Sequence, residues 1–186
     1  MTEEIKKAIA ILEEGGLILY PTDTLWAIGC DVTNDLAVQK IYTLKKQKSG
    51  TPMVCLVAHD AMLEKHIEKV PDLAYDLMDL AAKPTTIVYD TPRGISKNLI
   101  APDGSLAMRV ASDKFCQYLI NKFKKPIVTT IANISGTSIP KSFKEIDQAI
   151  LKGVDYVVNL QQENESSQAS TIIKLSGNHK VKVIRE

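Results

Sequence analysis

The sequence predicts an α/β protein with one twisted, mixed open sheet and helices on both faces. Segments with apolar residues at helical spacing intermix with short apolar runs along the whole chain, and no repeat or heptad array is visible. Several connections are too short for a crossover helix, so some neighbouring strands must be antiparallel. The 186 residues can bury a substantial core, and no Gly/Ser-rich or Pro-rich linker divides them. We therefore expect a single domain over residues 1–186.

Helical spacing of apolar residues predicts the first two helices. Residues 3–14 show it, and Gly15 follows where a helix C-terminal cap belongs. Residues 35–46 show it again, with Asn34 or Asp35 available as the N-cap. The same pattern predicts the later helices at 60–69, 71–82, 113–123 and near 143–151.

Uninterrupted apolar runs predict strands that are buried on both faces. The runs occupy 17–20, 52–57, 85–90, 106–110 and 126–133. Towards the carboxyl end, further strands are expected at 156–160, 170–175 and 180–186. The polar loop 161–170 is the segment whose composition is typical of disorder.

Composition and charge exclude several classes of protein. The net charge of +1 gives no overall attraction to nucleic acid or to an anionic membrane. Cys30, Cys55 and Cys116 are too few and too scattered for a disulfide framework, and no pair has zinc-site spacing. The amino terminus lacks the basic and apolar regions of a signal peptide, and no apolar run approaches the roughly 20 residues that span a bilayer. We expect a cytoplasmic protein without a membrane segment or a resident metal.

The segment YPTDTLWAIGCD, residues 20–31, joins the end of an apolar strand to short polar side chains. Pro21 prevents further ladder pairing through its own nitrogen, so Thr22, Asp23 and Thr24 lie at a strand end. In open α/β sheets, ligands bind at strand ends where the strand order switches. The same residues are equally typical of a capping turn, so the segment alone leaves both interpretations open.

Any bound phosphate must be held by cationic side chains, because the chain has neither a GxxxxGKS loop nor a GxGxxG turn. The candidates are Lys45, Lys46, Lys48, Arg109 and Arg185. The lysines are also typical of a solvated helix C-terminus. Arg109 stands within an apolar strand, so it must either face solvent on an edge strand or bind an anion, which its planar fork does well.

The remaining polar features have low specificity. Asn133 and Ser135 form a turn after an apolar strand, and Trp26 could stack on a base or, more often, pack in a core. The chain has no Ser/His/Asp arrangement, GxSxG elbow or metal-ligand cluster, which disfavours hydrolytic and redox chemistry.

Taken together, seven short motifs resemble the YrdC-like family, the threonylcarbamoyl-AMP synthases of tRNA threonylcarbamoyladenosine modification. No single motif is specific, but all seven occur in the family's order over nearly the whole chain. The matching segments are YPTDTLWAIGCD at 20–31, LKKQKSGTPM at 44–53, PTT at 84–86, LAMRV at 106–110, TTIANISG at 129–136, STII at 170–173 and VIR at 183–185.

The resemblance implies one α/β domain around a positively lined concave site, and a reaction that joins L-threonine, bicarbonate and ATP into threonylcarbamoyl-adenylate and pyrophosphate. Mg²⁺ is expected with ATP, a threonylcarbamoyl transferase would receive the product, and tRNA could contact the surface. The resemblance assigns the threonine to Thr24, Arg109 and Ser170, and catalysis to Lys45 and Arg109. It assigns the nucleotide to Lys45, Lys48, Ser105, Thr129, Asn133 and Arg185.

Two departures from the family pattern support a second hypothesis. In an ungapped alignment between Ile41 and Pro52, Gln47 falls on the family's arginine, whereas a shifted alignment makes Lys46 and Lys48 the basic pair. Ile131 falls on the family's serine. In an active synthase, Lys46 or Lys48 would replace the arginine and Thr130 the hydroxyl. Otherwise the chain would be a catalytically weakened paralogue that binds nucleotide or double-stranded RNA.

Overall fold

The structure is a computed structural model, and it describes residues 1–163, 168–176 and 180–186. Residues 164–167 of the predicted polar loop therefore lie outside the described residues. The helices are α1 Thr2–Glu13, α2 Asp35–Leu44, α3 Asp60–His66, α4 Asp72–Asp79, α5 Lys114–Phe123 and α6 Gln148–Gly153. The strands are β1 Ile18–Tyr20, β2 Ala27–Gly29, β3 Val54–Val57, β4 Thr85–Tyr89, β5 Leu106–Val110, β6 Ile127–Ile131, β7 Tyr156–Val157, β8 Thr171–Ser176 and β9 Lys180–Arg185.

All nine strands of the described residues form one mixed sheet in the order β7-β1-β2-β6-β3-β5-β4-β8-β9. The pairs β1–β7, β3–β5 and β4–β8 are parallel, and the other neighbouring pairs are antiparallel. Antiparallel neighbours can be joined by short connections, whereas parallel ones need crossovers. The predicted mixed α/β sheet is confirmed.

Both faces of the sheet are covered at β1, the strand next to the edge strand β7. Ile18, Leu19 and Tyr20 on β1 are each fully buried although adjacent side chains point to opposite faces. Helix α1 packs against α5 and contacts β1, while α3 contacts β3 and β5. Within the described residues, no helix is both long and apolar enough to span a membrane.

Local capping explains why most helix boundaries follow the sequence prediction. The Asn34 side chain accepts a hydrogen bond from the Ala37 backbone and caps α2. Gly15 adopts φ +71°, which favours glycine, just after the end of α1. The predicted helix near 143–151 is divided, because Asp147 caps a new helix, α6, after a 3-10 turn at Phe143–Glu145.

The sequence prediction missed strand β2. This strand has three residues, and it is defined by antiparallel pairing with β1 on one side and β6 on the other. Gly29 is required in β2, because a Cβ there would lie 2.7 Å from both the Tyr20 ring and the Val128 carbonyl oxygen. The predicted strand at 156–160 is also shorter in the structure, where only β7 pairs in the sheet.

Candidate functional site

The candidate site is a groove on one face of the sheet. Two adjoining cavities of about 180 and 390 Å³ form it, and they share Pro52, Met53, Val54 and Ile172. Side chains two residues apart on a strand point to the same face. Pairs of this kind from three strands line the groove: Ala107 and Arg109 on β5, Thr129 and Ile131 on β6, and Ile172 and Lys174 on β8.

The turn after β1 serves both of the roles that the sequence left open. The Thr22 hydroxyl accepts hydrogen bonds from the backbone N–H groups of Thr24 and Leu25 and donates to the Leu25 carbonyl, so it stabilises the turn. Thr24 is buried and lines the first cavity. The segment is therefore a local turn motif that also presents a hydroxyl to the groove.

Arg109 is buried in the wall of the first cavity, where it already has an anionic partner. Its Nη2 lies 2.9 Å from Asp23 Oδ1 and 3.4 Å from Thr24 Oγ1. Ser112 Oγ donates to Asp23 Oδ2 at 2.6 Å, so the end of β5 holds this carboxylate from two sides. Arg109 Nε is buried and has no hydrogen-bond acceptor among the described residues. The guanidinium therefore keeps donor capacity for a further anion.

Ser170 and Arg185 form the opposite wall of the first cavity. Arg185 Nε and Nη2 donate to the Ser170 carbonyl oxygen at 3.0 and 2.8 Å, and Thr86 Oγ1 lies 2.8 Å from Ser170 Oγ. Ile173 pairs with Val183 but Ile172 pairs with Arg185, so β9 has one extra residue at this point. Because of this bulge, the next side chain points to the opposite face of the sheet from the one it would otherwise take. Arg185 therefore points into the groove.

Two guanidinium groups therefore meet in one cavity. Burial, together with the nearby positive charge of Arg109, lowers the pKa of Arg185. Like charges converge at a binding site when the ligand supplies the opposite charge. The first cavity is accordingly suited to an anion such as a carboxylate or a phosphate.

Lys45 lies behind the first cavity and is almost fully buried. Its Nζ donates to the carbonyl oxygens of Ile131 and Asn133 at 2.5 and 2.7 Å and to Asn133 Oδ1 at 3.1 Å. These contacts use all three ammonium hydrogens. Burial lowers the pKa of Lys45 to about 8. In this structure Lys45 links the end of α2 to the end of β6.

The remaining predicted residues are divided between the two cavities and the surface. Thr129 lines the first cavity and Ser105 the second, where Ser105 Oγ donates to Asp103 Oδ1 at 2.6 Å. Lys48 is exposed and lines neither cavity. Trp26 is buried with its ring centroid 4.9 Å from that of Phe143, and it also lines the first cavity. The core interpretation of Trp26 therefore fits its packing.

Sequence reasoning missed Thr86, Lys174 and Lys182. Thr86 is fully buried beneath Ser170, and the two lysines line the second cavity. Part of this could be seen in the sequence. TTIVYD was assigned to a strand, and alternate side chains of a strand point to the same face, so Thr86 and Val88 share one face. Which side faces the groove depends on pairing with β8, which the sequence does not reveal.

Comparisons with known proteins agree with these motifs and with the fold. The family model Sua5/YciO/YrdC, described as "Telomere recombination", matches residues 10–186. A protein named putative threonylcarbamoyl-AMP synthase from Methanocaldococcus jannaschii is 33% identical over 189 residues, covering 99% of this chain and 87% of that protein.

Two solved structures share the fold. The structure of P. abyssi Sua5 complexed with L-threonine matches with a TM-score of 0.85 and 21% identity, over 97% of this chain and 53% of that one. E. coli YciO matches with a TM-score of 0.85 and 23% identity, over 100% of this chain and 90% of that one. The chain thus spans about half the length of P. abyssi Sua5. The match over residues 10–186 and the archaeal relative establish that this chain belongs to the Sua5/YciO/YrdC family.

Proposed function

We propose that the chain is an L-threonylcarbamoyladenylate synthase, which forms threonylcarbamoyl-AMP and pyrophosphate from L-threonine, bicarbonate and ATP. The observation that carries this proposal is the convergence of Arg109 and Arg185, from distant parts of the chain, on one cavity with Thr24 and Ser170. Two relatives support this proposal. The M. jannaschii protein is named putative threonylcarbamoyl-AMP synthase, and the P. abyssi Sua5 structure is a complex with L-threonine.

L-Threonine would bind in the first cavity through its carboxylate and its hydroxyl. Arg109 offers a buried guanidinium to the carboxylate, and the burial strengthens each charge-assisted hydrogen bond. The Thr24 and Ser170 hydroxyls line the same cavity and would bind the polar atoms of the amino acid. This arrangement leaves the amine of threonine as the group that reacts.

The chemistry requires positioning and charge stabilisation, with no protein nucleophile. The threonine amine attacks carbon dioxide, released from bicarbonate, and loses a proton to give a carbamate. A carbamate oxygen then attacks the α-phosphorus of ATP, and the bond to the β-phosphate oxygen breaks to release pyrophosphate. Arg185 would offset the negative charge that develops on the α-phosphoryl group, since it faces the same cavity as Arg109.

Mg²⁺ would enter with ATP. Among the described residues, no group of three or more histidine, cysteine, aspartate or glutamate side chains could hold a metal ion. The ion would therefore bind through the phosphates, where it neutralises charge on the leaving pyrophosphate. A cytoplasmic threonylcarbamoyl transferase acting on tRNA would consume the labile adenylate.

The test is turnover with labelled bicarbonate, L-threonine and ATP. Wild type should yield adenylate that carries the label, together with an equal amount of unlabelled pyrophosphate. Arg109→Lys keeps the positive charge but loses the planar guanidinium that can bind a carboxylate through two N–H groups. The kcat/KM for threonine should therefore fall at least about tenfold. Arg93→Lys is the matched control, because Arg93 is exposed and donates to the carbonyls of Glu64 and Lys65. Saturable nucleotide binding without adenylate formation would support the binding-module hypothesis instead.

A further inference from the structure

Asp23 is a buried carboxylate that lies beside the proposed threonine site without forming part of its wall. Its side chain is 7% exposed, and it lines a separate cavity of about 440 Å³, whereas Arg109 lines the first cavity. A buried carboxylate is costly unless a cation and hydrogen-bond donors satisfy it. None of the roles predicted from the sequence includes Asp23.

Asp23 connects two parts of the chain that the sheet keeps apart. Strands β2, β6 and β3 lie between β1 and β5. The turn after β1 nevertheless reaches the end of β5, where Asp23 Oδ1 lies 2.9 Å from Arg109 Nη2 and Asp23 Oδ2 accepts from Ser112 Oγ at 2.6 Å. The next residue of the turn, Thr24, has its Oγ1 3.4 Å from the same Nη2. Asp23 therefore fixes Thr24 relative to Arg109, and both of these side chains line the first cavity.

The same contacts set the orientation of the Arg109 guanidinium. Asp23 and Thr24 contact Nη2, while Nε is buried without an acceptor among the described residues. A substrate carboxylate is directed to the other N–H groups, because two carboxylates at one nitrogen would repel each other. The amine of threonine then takes one position relative to the nucleotide. The charge of Asp23 also offsets that of Arg109, so it weakens carboxylate binding while it fixes the geometry.

We propose that Asp23 is a positioning residue of the synthase, which holds Arg109 so that the amine of L-threonine lies at the reacting position. This inference rests on the proposed function. It predicts that removal of the Asp23 charge strengthens threonine binding and slows the reaction. A residue that only stabilised the fold would change neither the threonine affinity of the folded protein nor its kcat.

The experiment is calorimetric titration of L-threonine and D-threonine, together with the kinetics of adenylate formation. The proteins are wild type, Asp23→Asn, Ser112→Ala and Asp31→Asn, at a temperature at which urea unfolding shows each to be folded. Asp23→Asn should bind L-threonine about tenfold more tightly, because Arg109 loses the carboxylate that offsets its charge. Its kcat should fall at least about tenfold, and its preference for L- over D-threonine should fall at least about threefold, because the guanidinium is no longer held.

Two further variants separate orientation from charge and from burial. Ser112→Ala keeps the Asp23 carboxylate but removes a hydrogen bond that fixes it, at an exposed position. Its kcat should fall about threefold, while its threonine affinity stays within about twofold of wild type. Asp31→Asn is the matched control, because Asp31 is 6% exposed and paired with Lys125. It should change neither the affinity nor kcat.

Weaker threonine binding by Asp23→Asn would overturn the positioning role, because Asp23 would then contact the substrate itself. A kcat and an enantiomer preference equal to those of wild type would also overturn it, as would the same changes in Asp31→Asn. If wild type binds L-threonine but forms no adenylate, the proposed function fails, and the affinities and the enantiomer preference still decide the role of Asp23. Absence of threonine binding to wild type would overturn both.

Discussion

Asp23 and Asp31 are two buried carboxylates whose cationic partners differ in exposure. The Asp23 and Asp31 side chains are 7% and 6% exposed, and their partners Arg109 and Lys125 lie at 2.9 and 2.6 Å. The Arg109 side chain is 4% exposed, whereas that of Lys125 is 47% exposed. Water can therefore solvate Lys125 when its carboxylate is removed, but it cannot reach Arg109 in the same way.

We predict that Asp23→Asn lowers the free energy of unfolding by about 3 kcal/mol and Asp31→Asn by about 1 kcal/mol or less. The first value is at the low end for breaking a buried ion pair, because asparagine keeps one neutral oxygen acceptor for either Arg109 or Ser112. The second is the value for a pair with one solvated partner. Urea unfolding of both variants measures the difference, and equal losses would contradict the argument that the exposure of the cation decides the cost.

The same argument predicts that L-threonine protects the two variants differently. If the substrate carboxylate binds Arg109, it supplies the negative charge that Asp23→Asn lacks. Saturating threonine should then raise the stability of Asp23→Asn by more than it raises that of wild type. Asp31→Asn is the control, and its gain should equal that of wild type. An equal gain in all three proteins would place the threonine carboxylate away from Arg109.

Three further predictions concern residues around the groove. Thr86→Val removes the contact of 2.8 Å with Ser170 Oγ without changing the side-chain shape, so stability should fall by about 1 kcal/mol and the KM for threonine should rise severalfold, measured by urea unfolding and steady-state kinetics. Burial lowers the pKa of Lys45 from 10.5 to about 8, so between these pH values the unfolded chain holds a proton that the folded protein has released. The stability of wild type relative to Lys45→Met should therefore rise with pH across that window, by about 3 kcal/mol at most, and a flat difference in urea unfolding would contradict the burial argument. Gly29→Ala should cost about 2 kcal/mol in thermal unfolding, because its Cβ would lie 2.7 Å from the Tyr20 ring.

The helices and longer strands could be predicted because local chemistry specifies them. Asn34 and Asp113 accept backbone N–H bonds three residues on, and such caps are visible in sequence. Strand β2 has too few residues for a periodic signal, and its pairing with β1 and β6 depends on how the whole sheet assembles. Its three residues therefore could not be distinguished from the rest of the turn segment.

The residues of the first cavity could be predicted for a different reason. Thr24, Arg109, Ser170 and Arg185 belong to motifs whose order along the chain is specific, and the structure places all four around one cavity. Lys174 and Lys182, which line the second cavity, belong to no motif. Their position follows from the β8–β9 register, which depends on backbone pairing between strands.

The substitution at Ile131 is less disruptive than the lost hydroxyl suggests. Lys45 binds the backbone carbonyl of Ile131, and any residue at this position supplies that oxygen. The same ammonium group also holds the carbonyl and side chain of Asn133, which the family pattern retains. The end of β6 is thus fixed through main-chain atoms, and its geometry does not depend on a serine. Gln47 differs in kind, because a lost positive charge cannot be recovered from the backbone. In an active synthase, another cation of the groove would have to supply that charge, and the cations among the described residues that line it are Arg109, Arg185, Lys174 and Lys182.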